Sequence, residues 1–150
     1  MVELIVTGGM LFGSVFLFAY WFRYTCLLIL STKTLRDYAG AMAAAHRLTF
    51  VDVQSRLRGC ATANLARLHQ SLDEDYALVM RLLQQSGSVQ DRSSLEMRML
   101  QMNYRVMGAW ARLSARFSRS AACRALDEMS QVIAHFANAM GETAASVAAA

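Results

Sequence analysis

Apolar positions divide this chain into three runs. The first, from Leu4 to Phe22, carries no charge over nineteen positions. About 20 apolar residues take a helix across a bilayer core. The helical core of a globular protein rarely stays apolar on every face for so long. A cleaved signal peptide needs a basic start and a small-residue cleavage site. Here the start is Met1, Val2 and Glu3, and no such site directly follows the run. The pattern predicts an uncleaved single-pass transmembrane anchor over residues 1–31.

Tyr20, Trp21, Arg23 and Tyr24 mark the far boundary of that span. Amphipathic rings collect at headgroup level, and an arginine near a helix end reaches back to water. The apolar Cys26–Leu30 stretch (CLLIL) then lies at or just beyond the interface. A second registry, spanning residues 10–30, places Arg23 inside the membrane, where a charge is functional. Gly8, Gly9 and Gly13 provide the small-residue spacing at which membrane helices approach closely, although this spacing is common by chance.

The second run is Leu35, Ala39, Met42, His46, Phe50, Val53, Leu57, Cys60, Asn64, Leu68, Leu72, Tyr76, Val79 and Leu83. Its mean step of about 3.7 residues is helical. The third run is Leu95, Met99, Met102, Val106, Trp110, Leu113, Phe117, Ala121, Ala125, Met129, Ile133, Phe136, Met140, Ala144 and Val147, with the same step. Between them lies QQSGSVQD, with Gly87 suited to end a helix and Asp91 or Ser93 to cap the next, Ser93 forming a capping box with Glu96. The expected fold is all-α. A transmembrane helix leads into a long antiparallel helical hairpin over residues 32–150, turning near 86–91. The alternative breaks each arm once, at Gly59 and at Ser118–Ser120, and folds a compact four-helix bundle. Apolar residues beyond one stripe, among them Leu48, Val51, Leu65, Leu82, Met97, Leu100, Met107 and Leu126, make self-association or docking on a partner expected.

Composition supports helix, since the 150 residues contain no proline. Before the span the only charged side chain is Glu3, and after it come Lys33, Arg36, Arg47, Arg56 and Arg58. The positive-inside rule puts the N-terminus outside and the C-terminal part in the cytoplasm, as in a bacterial inner membrane. Three cysteines, Cys26, Cys60 and Cys123, form no C-x-x-C pair. They are expected to be thiols in a reducing compartment.

Candidate chemistry is sparse. Arg98, Arg105, Arg112 and Arg119 recur every seven residues, and no acid occurs from Met97 to Leu126. Sevenfold spacing places them near one helix face. One reading is a solvated face that pairs within the molecule, with Asp73, Glu74 and Asp75 opposite Arg98 and Arg105. The other is contact with an anionic partner, for which an acidic protein surface is the best candidate. Nucleic acid lacks any recognised binding motif here. Lipid headgroups would lie beyond a Debye length of about 8–10 Å from an upright hairpin. His46 and His135 could face one another, but a metal or haem site needs several converging ligands. His46 also fits a phosphoacceptor only weakly, without an acidic neighbour after it. No nucleophile–base set and no phosphate loop is present, so neither an enzyme nor a cofactor is expected. The expected role is a membrane-anchored scaffold or accessory subunit that binds itself or other subunits. A signalling bundle, with a minor metal or redox role for His46 and His135, is the alternative.

Overall fold

The structure is a computed structural model and describes residues 1–31, 37–59, 64–85 and 94–148. Every regular element among them is a helix. The chain forms two units, Met1–Lys33 and Thr34–Ala150. In the first unit, α1 runs unbroken from Val2 to Ser31. It is long and apolar enough to cross a membrane. Two of its hydroxyls bond back to their own helix: Thr25 donates to the Trp21 carbonyl and Ser31 to that of Leu28.

The second unit holds five helices: α2 (Ala39–His46), α3 (Phe50–Leu57), α4 (Leu65–Gln85), α5 (Ser94–Ser114) and α6 (Arg119–Ala148). The other four all pack on α6. Its buried residues include Ala122, Ala125, Leu126, Met129, Val132, Ile133, Phe136, Ala137 and Met140. They recur at three- and four-residue steps, the period of a single helical face. Small residues among them let backbones come close. At Gly141 an added Cβ would run into the Cβ and Cγ of Tyr38, and the Tyr38 N–H donates to the Asn138 side chain at 2.6 Å.

Neither apolar run forms one uninterrupted helix. The first is divided after His46, where Arg47 turns left-handed at φ 55° and the Leu48 N–H closes onto the Ala43 carbonyl at 2.9 Å. The start of α3 is then held from another helix. Asp75 of α4 accepts the Thr49 N–H at 2.7 Å and its hydroxyl at 3.0 Å. Burial nonetheless pushes the Asp75 carboxyl above its ordinary range, against the bonds from Thr49 and the Phe50 N–H. α3 ends just before Gly59, and Asn64 caps α4 through the Arg67 N–H at 3.3 Å. The second run is divided after Ser114. Ser118 closes the turn onto the Ser114 carbonyl at 2.7 Å, and its hydroxyl accepts the Ala121 N–H at the start of α6. The turn expected near 86–91 lies outside the described residues.

Two expectations need correction. Cys123 is disulfide-bonded, so the cysteines are not three thiols; Cys26 is outside any disulfide, and Cys60 lies outside the described residues. The phase of the third run also changes along its length. Its later members Ala125, Met129, Ile133, Phe136 and Met140 are buried as expected, but its α5 members are not. On α5 the core is made by Met97, Leu100, Tyr104, Met107 and Ala111. The break at 115–118 frees α5 from the register of α6, so α5 turns a different face inward.

Candidate interaction surface

That rotation leaves a row of large apolar side chains facing outward. Leu95, Met102, Val106, Trp110, Leu113 and Phe117 are between 49 % and 83 % exposed. At 3.6 residues per turn, the five on α5 itself lie within about 80° of one another. Over about 30 Å of helix they make the continuous stripe that a helix normally hides. Scattered exposed leucines are ordinary on a protein surface, but a contiguous row is not.

A basic row runs beside it. Arg98, Arg105 and Arg112 are exposed on α5, offset by about 90° from the apolar row. Arg119 does not continue this row, because it opens α6 beyond the break. The expected pairing also differs. Asp73 meets Arg112, at 3.4 Å, and not Arg98 or Arg105. Glu74 accepts from Gln70 on its own helix, and Asp75 holds Thr49. Arg98, Arg105 and the exposed Arg116 have no acidic side chain within salt-bridge distance among the described residues.

Between α4 and α5 lies a polar cluster. Tyr104 donates its hydroxyl to Asp73 at 3.1 Å, and its ring stacks on Tyr76 with centroids 4.0 Å apart. Burial, then the Asp73 carboxylate, drives the Tyr104 phenol far above its usual range. His69 is buried, and its Nε2 lies 3.6 Å from Asp73 without forming a hydrogen bond. Burial holds this imidazole below its ordinary value; Asp73 opposes that shift and Arg112 adds to it. Burial thus favours the neutral form of His69. The cluster joins two helices, but it offers no nucleophile beside a base. Deeper in, Asn103 donates to Glu128 at 2.8 Å and ties α5 to α6. The only sequence signals for these contacts were polar residues falling at core positions, such as Asn103, and the His69–Asp73 spacing of four.

The remaining expected site residues lie on other elements. Gly8, Gly9 and Gly13 lie on α1, where an added Cβ would meet no described atom within 4 Å beyond its chain neighbours and the backbone of its own helix. Tyr20, Trp21 and Tyr24 are exposed on the same helix, and so is Arg23. His46 is half-buried at the end of α2. His135 meets Glu96 at 3.4 Å. No group of three or more metal-ligating side chains occurs among the described residues. Comparison of the chain with protein-family models, curated proteins and solved structures gives no match in any of the three.

Proposed function

We propose that this is a non-enzymatic, membrane-anchored interaction protein. Helix α1 holds it in the bilayer, and the helical unit docks on another protein subunit through the outward row of α5. It serves as a scaffold or accessory subunit of a larger membrane assembly. One observation carries this reading: six large apolar side chains on and just beyond one helix stay half to four-fifths exposed beside unneutralised arginines. A monomer gains nothing from solvating such a row, whereas a docked surface buries it at about 25 cal/mol per Å². Gly9 and Gly13 provide a second, weaker contact with other membrane helices.

Orientation belongs to the same proposal. The basic residues that follow the anchor favour a cytoplasmic C-terminal unit. The Cys123 disulfide pulls the other way, because disulfides persist chiefly in oxidising compartments. The charge asymmetry acts on insertion itself and sets the proposed orientation.

A photocrosslinking residue placed at Val106 or Leu113 tests the docking face in intact membranes. The expected result is one adduct of discrete mass from these positions and none from Ala77 or Arg81, which are exposed on α4. Equal adducts from both helices, or none from either, would contradict it.

A further inference from the structure

The row on α5 specifies its occupant through its charge. We infer that it takes a single amphipathic helix of another protein, with an apolar stripe flanked by Asp or Glu. This deepens the docking role above and rests on it. The outward apolar positions on α5 are seven, four, four and three residues apart, a three–four pattern with one position skipped, which is the spacing that meshes with a second helix. Arg98 and Arg105 stand along one edge of the stripe, and Arg116 follows just past the end of the helix. A helix lying in the stripe brings its own flank within reach of them.

A second copy of the chain does not satisfy that edge. An antiparallel α5–α5 pair sets arginine against arginine. In a parallel pair the arginines meet the far edge of the stripe, where Asn103 is buried against α6 and Glu96 is engaged by His135. The other described acids of this unit accept bonds within the unit as well. Asp73 and Asp75 bond between helices, while Asp52, Glu74 and Asp127 pair within their own. Among the described residues of this unit no acidic stripe is left to face Arg98 and Arg105, so the acids are assigned to a different chain.

The test uses the full chain, one copy per nanodisc of zwitterionic lipid. Trp21→Phe leaves Trp110 as the sole indole. Two synthetic helical peptides of about 20 residues serve as probes, with leucines at the same three–four spacing. One carries Glu along its flanks and the other carries Lys. The Glu peptide is expected to shift Trp110 emission to the blue saturably and to bind about tenfold more tightly than the Lys peptide. Its advantage should shrink as salt rises, and Arg98→Glu with Arg105→Glu should reverse the preference. Both arginines are exposed, and an unchanged circular dichroism melt verifies that the variant folds. Equal binding of the two peptides would overturn the acidic helix and leave the docking face standing. A blue shift without peptide would also overturn it. If that shift appears only in nanodiscs containing anionic lipid, the occupant is the membrane; if it grows with chain concentration, the occupant is a second copy. If no probe moves Trp110, the docking face falls with it.

Discussion

The Tyr104 hydroxyl donates to the Asp73 carboxylate over 3.1 Å, and this bond ties the inward face of α5, which packs on α6, to α4 as well. It holds Tyr104 inward, stacked on Tyr76, and the next turn then puts Val106 and Trp110 outward. Removing only the hydroxyl isolates the bond, because Phe keeps the ring. Tyr104→Phe should cost about 1.5 kcal/mol, the lower end for a hydrogen bond to a charged group, since Asp73 is partly solvated. Urea unfolding followed by circular dichroism measures it. A loss below a few tenths of a kcal/mol would mean that the bond does not help to hold α5.

The outward row predicts an unusual mutational contrast. Leu113→Ser and Phe117→Ser should change unfolding by no more than about 0.5 kcal/mol, although both remove large apolar groups. Ile133→Ala, at a fully buried site on α6, should cost about 2–5 kcal/mol. Thermal melts of the three variants decide this. Comparable losses would show that the row is part of the core.

His69 gives the fold a pH dependence with a definite sign. Burial lowers its folded value beneath the ordinary 6.5, so over that interval the unfolded chain binds more protons. Stability should fall as pH drops from about 6.5 toward the folded value, then level off. Groups facing His69 include Asp73 on its own helix and Arg112 on α5, and Tyr104 reaches the same carboxylate. Carboxylates add their own acid sensitivity, so the readout is the difference between the native chain and His69→Gln. That difference should shrink as pH falls below about 6.5; a constant difference would contradict it.

Close approach at Gly141 makes another contrast. Alanine is the better helix former by about 1 kcal/mol, yet an added Cβ collides with the Cβ and Cγ of Tyr38. Gly141→Ala should therefore destabilise by about 1–3 kcal/mol. In a Tyr38→Gly background both obstructing atoms are gone, and the same change should become neutral or stabilising. Urea midpoints of the four proteins complete the cycle.

Orientation is tested with reporter fusions to the C-terminus. A fluorescent protein that matures only in the cytoplasm should glow, and an alkaline phosphatase that needs export should be inactive. The opposite pattern would place the unit on the oxidising side, in keeping with the Cys123 disulfide.

Much of this fold was legible in the sequence, for reasons particular residues make clear. Nineteen uncharged positions can hardly be anything but an apolar helix, and α1 follows. Phe50, Val53, Leu57, Leu68, Leu72, Val79 and Leu83 share one helical phase and are all buried. α5 was harder because it carries two apolar faces. Periodicity alone does not rank Leu95–Met102–Val106–Trp110 above Met97–Leu100–Tyr104–Met107. The choice was made by tertiary contacts, Tyr104 with Asp73 and Asn103 with Glu128, between residues 31 and 25 positions apart. The arginine spacing was plain, yet the turn at Ser118 moves Arg119 to another helix and Asp73 takes Arg112. The break at Arg47 had no glycine or proline to announce it.

The account's central claim is that the outward face of α5 is covered in the native membrane. Maleimide labelling of Leu113→Cys tests it most directly, with Ala77→Cys on α4 as the control. In the purified chain both should react readily. In native membranes Ala77→Cys should stay reactive, while Leu113→Cys should be protected about tenfold or more, as expected of a site occupied most of the time. Equal reactivity at the two positions in native membranes would contradict the claim.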